Sequence, residues 1–176
     1  MLVIRNLAAA ALMFLAGSTA PSFAGSDDNF FEKVQGRWVG PGEIVAGKYK
    51  GTRFNCDLTG IPNGGGSGVE LAGTCRVGVF TQEMKASIVK GNKGYRGTFL
   101  DGAKGKGLDI TSGNLDGNKV VFAMVREQLK GAMVAKVANE NQMNVTISVE
   151  VSKQLVPVIG MNLKRVDDKA TASTSD

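Results

Sequence analysis

Short runs in which apolar and polar residues alternate cover most of the chain after residue 38, and they constrain the fold more than any other feature. The clearest run places Met143, Val145, Ile147, Val149 and Val151 at every second position. Successive side chains of a β-strand point to opposite faces, so this pattern predicts strands with one apolar face. Glycine and asparagine interrupt the runs about every ten residues, which is typical of hairpin turns.

The connections are too short for crossover helices, so we expect an all-β fold. Such a meander ends as a two-sheet sandwich or as a closed barrel, and closure is favoured because it removes edge strands. We therefore predict an antiparallel up-and-down β-barrel of about eight to ten strands. Leu129–Val137 could form a strand or a helical turn, and Gly131 favours the strand. Phe30, Phe31 and Val34 have the spacing of one short N-terminal helical turn with an apolar side.

Two of the alternating runs carry the cysteines of this chain, Cys56 and Cys75. The runs Arg53–Thr59 and Val69–Val77 flank a glycine-rich turn and together suit a hairpin. That hairpin places both cysteines on the same face and nearly opposite each other, as a disulfide requires. A disulfide closing this loop would contribute roughly 3 kcal/mol to stability. The alternative is a pair of reduced, buried thiols.

The first 24 residues have the features of a secretory signal peptide. Arg5 precedes the apolar run Leu7–Gly17, and Ser22-Phe23-Ala24 presents small residues for cleavage after Ala24. We expect a soluble periplasmic protein without a transmembrane segment, which favours the disulfide over free thiols. Residues 25–166 then form a single domain, and residues 167–176 form a disordered tail because they contain almost nothing apolar.

The charge and the residue types argue against several functional classes. The formal net charge is +5, a mild excess that is weak support for an anionic partner, and we expect no nucleic acid to bind. The chain has no histidine, which removes histidine ligands for metals and histidine general bases. No candidate nucleophile has a visible base, so we expect neither an enzyme nor a protein with a metal or cofactor.

Several residues at the two ends of the predicted domain resemble the calycin superfamily, which includes lipocalins and fatty-acid-binding proteins. Asn29-Phe30 and Gly36-Arg37-Trp38 are similar to the lipocalin opening, a short helix followed by Gly-x-Trp on the first strand. Arg165 matches the basic residue of the last strand. The resemblance implies a barrel whose floor is closed by Trp38 beneath the Arg165 guanidinium, which can stack on an indole and still donate hydrogen bonds.

A second, weaker resemblance is to the periplasmic inhibitors of secreted metalloproteases, which are small barrels with an early Gly-x-Trp and one disulfide. Gly36, Trp38, Cys56 and Cys75 are compatible with that plan. This resemblance implies a protein that acts through its surface on an envelope partner, and it leaves the interior filled.

The inward-facing apolar residues are candidates for a ligand cavity, although a barrel of this size can equally be filled by side chains. The candidate lining residues are Phe54, Met84, Tyr95, Phe99, Phe122, Met124, Met143 and Ile147. The basic stretch Lys90–Gly107 could hold an anionic headgroup at the barrel mouth, but solvated turn lysines are the simpler interpretation.

Two functional hypotheses follow from this interpretation. The first is a periplasmic, lipocalin-like binding protein that holds a small hydrophobic ligand or lipid inside the barrel. The alternative is a bacterial envelope protein that acts through its outer surface, as a protease inhibitor or an assembly partner. A continuous cavity of several hundred Å³ would favour the first hypothesis, whereas a filled interior with an exposed apolar patch would favour the second.

Overall fold

The computed structural model describes residues 26–63, 67–92, 94–100 and 107–166. The predicted signal peptide and the predicted disordered tail lie outside these residues. The described chain contains one helix, α1, and ten strands. They are α1 Ser26–Val34, β1 Gly36–Ile44, β2 Arg53–Pro62, β3 Gly68–Val77, β4 Phe80–Gly91, β5 Gly94–Leu100, β6 Leu108–Asp116, β7 Lys119–Arg126, β8 Leu129–Asn139, β9 Gln142–Val151 and β10 Gln154–Val166.

Every strand pairs antiparallel with its neighbours in the sequence, and β1 also pairs with β10 to close the sheet. The prediction of an antiparallel up-and-down barrel is therefore confirmed, with ten strands. β8 includes the segment whose alternation was ambiguous, and it pairs along its length with both neighbours. Closure leaves no strand at an edge, which removes the unpaired backbone groups that promote aggregation.

The last strand contains a proline inside the closed sheet. Proline has no backbone N–H to donate, so a central strand tolerates it only at an irregularity. The pairing of β10 with β9 shifts register between Pro157 and Ile159, which is where such an irregularity is needed. The sequence predicts either a bend or a sheet edge here. Because the sheet is closed, β10 is not an edge strand, and the proline is accommodated at a bulge.

The helix α1 closes one end of the barrel, and it is longer than the single turn that the sequence predicts. Phe30, Phe31 and Val34 are buried on its inner side, and the helix contacts β2, β3 and β8. The backbone of α1 approaches β2 closely at Gly60, where an added Cβ would lie 2.4 Å from the carbonyl oxygen of Val34. Glycine at this position therefore lets the helix pack directly on the strand.

Candidate functional site: the barrel interior

The closed end of the barrel is built around Trp38, whose side chain is fully buried at the β1–β10 seam. Its indole Nε1 donates a hydrogen bond to the carbonyl of Val34, 2.8 Å away, at the end of α1. Arg165 pairs with Trp38 across the seam, and its Cζ lies 4.3 Å from the centre of the indole ring. This distance is typical of a cation–π contact.

The guanidinium of Arg165 also ties the helix end to the neighbouring strands. It donates to the carbonyls of Lys33, at 2.6 Å, of Glu140, at 2.7 Å, and of Gln35. The carbonyls at a helix C-terminus lack partners within the helix and carry partial negative charge. One arginine thus fixes both the tryptophan and the helix that close this end.

The cysteines lie on adjacent strands near the middle of the barrel. Cys56 and Cys75 are directly opposite in the β2–β3 register, with their Cα atoms 4.0 Å apart, and they form a disulfide. Both side chains are buried and point inward, on the face that the alternation predicts. The disulfide therefore forms part of the interior wall.

A cavity of about 360 Å³ occupies the barrel at the end opposite α1, and we call it the upper cavity. Its outermost lining residues include Ile44, Val77 and Leu129, each at the end or the beginning of a strand on that side. Its lining is mostly apolar, and its polar residues are Gln82, Arg126 and Ser148. This volume lies within the range of about 300–1,000 Å³ that ligand pockets occupy.

A smaller lower cavity of about 80 Å³ lies between the upper cavity and α1. Phe30, Phe31 and Val34 of the helix contribute to its lining. Cys75, Met84, Phe99 and Met161 line both cavities, so these four residues form the boundary between them. Two of the four are methionines, whose unbranched side chains adapt easily to different packing arrangements.

The eight residues predicted to line a cavity are distributed over three levels of the interior. Phe54, Met124 and Ile147 line the upper cavity, Phe122 and Met143 line the lower cavity, and Met84 and Phe99 line both. Tyr95 lies among the lining residues of neither cavity. Its ring packs between Phe31 and Phe122, with ring centres 5.5 and 5.7 Å away, because β5 begins beside the helix.

Arg126 also lines the upper cavity, although it is not among the eight residues predicted to line a cavity. It ends β7, and its Nε is buried at the upper cavity. The inward positions Val120, Phe122 and Met124 predict the orientation of Arg126, because the same alternation continues for one more step. Among the described lining residues of the upper cavity, Arg126 carries the only formal charge.

Two basic residues of the stretch Lys90–Gly107, Lys90 and Arg96, lie within the described part of the chain. Lys90 is the second-last residue of β4 and Arg96 is the third residue of β5, so both lie toward the end closed by α1. Lys93, Lys104 and Lys106 lie outside the described residues. β5 runs from that end of the barrel to the opposite end, where Gly107 precedes β6, so the first and last residues of the stretch lie far apart.

Within the described ranges, no three His, Cys, Asp or Glu side chains cluster closely enough to hold a metal ion. None of the helices in the described part of the chain is both long and apolar enough to cross a membrane.

The fold and its interior define the protein as a closed ten-stranded antiparallel β-barrel with an apolar cavity at one end. Neither a family model nor a curated protein matches the sequence. Among solved structures, the chain is similar to the crystal structure of a protein of unknown function from the DUF3598 family of Nostoc punctiforme. The TM-score is 0.50 at 13% identity, and the match covers 77% of this chain and 49% of that chain. The chain thus spans about half the length of that protein, and the likeness concerns the fold alone.

Proposed function

We propose that this protein is an exported, lipocalin-like barrel that holds a small hydrophobic molecule or lipid in the upper cavity. The observation that carries the proposal is the 360 Å³ volume inside the barrel, because a barrel filled by side chains has no room for a ligand. The lower cavity continues the apolar path toward α1, which suits an elongated hydrocarbon chain. The methionines at the boundary can shift to let such a chain pass.

Three observations support the finer parts of this proposal. The contact between Trp38 and Arg165 at the closed end matches what the calycin resemblance implies. The signal-peptide pattern at the N-terminus favours export to the periplasm, and the disulfide between Cys56 and Cys75 suits an oxidising compartment. We propose membership of the calycin superfamily and a periplasmic location on these grounds.

Native mass spectrometry of protein purified from its own cells provides the first test of the proposed function. We expect an adduct with the mass of a lipid or a similar hydrophobic molecule that is retained on gentle ionisation. A clean apo mass, together with no shift in the melting temperature on adding long-chain fatty acids, would contradict the proposal.

A pair of matched substitutions localises the ligand. Val158 lines the upper cavity, whereas Val121 lies on the outer face of β7 and lines neither cavity. Val158→Trp should fill part of the cavity and weaken binding of a fluorescent fatty-acid analogue by about tenfold, or about 1.4 kcal/mol. Val121→Trp should leave binding unchanged. Equal affinities for the two variants would show that the ligand does not occupy the upper cavity.

The alternative function is that of an envelope protein acting through its surface, as a protease inhibitor or assembly partner. The hairpin between β3 and β4 favours this candidate, because Val79 is 89% exposed and Phe80 is 77% exposed at its tip. Exposed apolar groups of this size often mark interaction sites. Serine substitutions at both positions that abolish capture of an envelope protein, while lipid adducts stay absent, would support this alternative.

A further inference from the structure

The exposed apolar side chains of the described residues are concentrated at the end of the barrel opposite α1, which we call the open end. Nine of them lie there, and we call these nine the apolar rim: Val45, Tyr49, Val77, Val79, Phe80, Leu100, Leu129, Val151 and Leu155. The other three, Ile61, Val89 and Val166, lie toward the end that α1 closes. Leaving so many large apolar groups in water at one end is costly unless a partner covers them.

The most prominent part of the apolar rim is the tip of the β3–β4 hairpin. Val77 and Phe80 are paired, so Gly78 and Val79 form a two-residue loop, with Gly78 at a φ of +56°. Val79 and Phe80 are more exposed than any other large apolar residue described. Neither side chain lines the upper or the lower cavity, so a ligand in these cavities does not explain their exposure.

The neighbouring β1–β2 hairpin brings positive charge and an aromatic ring to the same side. Its loop carries Lys48, Tyr49 and Lys50, all exposed, and the Nζ of Lys48 lies 5.4 Å from the centre of the Tyr49 ring. The side chains of tyrosine and lysine each combine an apolar body with a polar tip. Such residues are characteristic of protein segments at the interface between water and lipid. Because β2 pairs with β3, the tips of these two hairpins lie side by side.

The charges around these two tips favour an anionic partner. Four cationic side chains, Lys48, Lys50, Arg53 and Arg76, occur with two carboxylates, and one of these carboxylates, Glu43, lies 3.5 Å from Arg53. The second is Glu83. The β7–β8 and β9–β10 tips add little net charge, because Lys130 and Lys153 are offset by Glu127 and Glu150.

We propose that the open end docks on the surface of an anionic lipid bilayer, with Val79 and Phe80 among the acyl chains and the Lys48–Lys50 loop at the headgroups. The apolar residues are distributed over several hairpin tips around the cavity mouth, an arrangement that suits a planar apolar medium. Lysines near the surface add attraction to anionic lipids. Docking needs no cargo in the barrel, so this inference goes beyond the proposed function.

Co-sedimentation with vesicles tests the docking. The vesicles contain either phosphatidylcholine alone or three parts phosphatidylcholine to one part phosphatidylglycerol. We expect the protein to bind the anionic vesicles and to bind less well as salt is added. Val79→Ser with Phe80→Ser should weaken this binding at least tenfold. The matched control, Ile61→Ser with Val89→Ser, removes exposed apolar groups from the other end and should change binding less than twofold.

Further variants test the geometry of docking. Phe80→Trp should give blue-shifted fluorescence on adding anionic vesicles, against a constant signal from Trp38, which is fully buried. Lys48→Gln with Lys50→Gln should reduce the preference for anionic over neutral vesicles. Val158→Trp should dock as well as the unmodified protein, which separates this inference from the proposed function.

Three outcomes of the vesicle experiments would overturn the inference: no binding to either vesicle, unchanged binding by the Val79 and Phe80 variant, or an equal loss in the Ile61 and Val89 control. Sedimentation velocity without lipid tests for a second copy of the chain as the partner. If the protein dimerises and the Val79 and Phe80 substitutions abolish the dimer, the apolar rim binds a second copy of the chain. The bilayer proposal is then wrong.

Discussion

At the scale of single residues, the closed end depends on one arginine that serves several groups at once. Arg165 covers the ring of Trp38 and donates to backbone carbonyls that follow or end α1. Gly36 makes this possible, because its φ is +97° and an added Cβ would lie 2.6 Å from Nη1 of Arg165. Both residues of the Gly-x-Trp pattern therefore have a structural role: Gly36 leaves room for the guanidinium, and Trp38 provides the ring that it covers.

Replacing Arg165 with methionine keeps an apolar stem but removes the cation and all donors. We expect the free energy of unfolding to fall by about 2–3 kcal/mol, because charged hydrogen bonds and a cation–π contact are lost together. Arg165→Lys should recover only part of this, since an ammonium cannot reach carbonyls in three directions as a planar fork does. Urea unfolding measures the differences, and the exposed neighbour Lys164→Ala should change stability by less than about 0.5 kcal/mol.

Asp57 and Arg37 form an ion pair on the outer surface of β1 and β2. Nε and Nη2 of Arg37 donate to the two carboxylate oxygens at 2.9 and 2.7 Å. These bonds lower the pKa of Asp57 below its ordinary value of 3.8, against an opposing effect of burial. Because the pKa of Asp57 is lower in the folded than in the unfolded protein, the ion pair stabilises the fold at pH values above the ordinary pKa. This stabilisation is lost as the pH falls through the pKa of the folded protein.

Asp57→Asn should therefore reduce stability at neutral pH and have no effect in strong acid. Both side chains are more than 40% exposed, so we expect the neutral-pH loss to be below about 1 kcal/mol. Urea titrations of the two proteins across the acid range provide the measurement. A difference that persists unchanged below the pKa of Asp57 would show that the ion pair is not its cause.

Arg126 places a positive charge in the otherwise uncharged described lining of the upper cavity. The Nε of Arg126 is buried, although the residue as a whole is only half-buried. A guanidinium partly shielded from water attracts carboxylates because hydrogen bonds to charged groups gain strength away from water. If the ligand is a fatty acid, Arg126→Gln should weaken its binding about tenfold, or about 1.4 kcal/mol, and leave the matched fatty alcohol unaffected. Titration calorimetry with both ligands tests this, and equal losses for acid and alcohol would assign Arg126 a structural role.

At the scale of elements, the β2–β3 hairpin is the best-determined unit because two kinds of information agree on its register. Alternation defines its inward face, and the disulfide requires Cys56 and Cys75 to be opposite on that face. A one-residue slip would turn one cysteine outward and expose half of the apolar side chains. The bulge of β10 at Pro157 shows the opposite situation, in which one residue interrupts an otherwise regular strand.

Reducing the disulfide should destabilise the barrel without unfolding it. The cysteines are 19 residues apart, and a loop of this length corresponds to roughly 3 kcal/mol in the chain-entropy model. Urea midpoints with and without reductant measure the effect, and a Cys56→Ala, Cys75→Ala variant should be insensitive to reductant. A wild-type midpoint that does not move under reductant, with both thiols shown to be free, would contradict this expectation.

At the scale of the whole molecule, the chain closes on itself because its first and last strands pair. Trp38 and Arg165 are at opposite ends of the barrel sequence, and their contact exists only after every strand is in place. Pairing between strands that are far apart in the sequence has an entropic cost of loop closure, which slows the folding of β-rich domains. The same closure converts the inward faces of all strands into one interior, with a helix at one end and the upper cavity at the other.

Trp38 is the only tryptophan of the chain and lies at the closing seam, so it reports directly on closure. We expect its fluorescence and the far-ultraviolet circular dichroism to change together during urea unfolding, because a closed barrel cannot lose one seam without exposing its whole core. Coincident transitions are the expected result. A fluorescence transition at lower urea than the dichroism transition would show that the β1–β10 seam opens independently.

The sequence alone was enough to determine which side chains face inward along most strands, where the hairpins turn and that the two cysteines share a face. These properties depend on the pleat of each strand and on local turn chemistry, which act over a few residues. The calycin resemblance also indicated the pairing of Trp38 with Arg165, which lie far apart in the sequence.

Only the tertiary structure decided the strand number, the levels of the interior and the distribution of charge between the two ends. Tyr95 has the alternation of a lining residue, but the start of β5 beside α1 makes it part of the closed end. Lys90 and Arg96 are near residue 107 in sequence, yet the length of β5 separates them from it. Whether inward residues fill a barrel or leave a 360 Å³ space depends on how all ten strands pair around the ring, which is a property of no single segment.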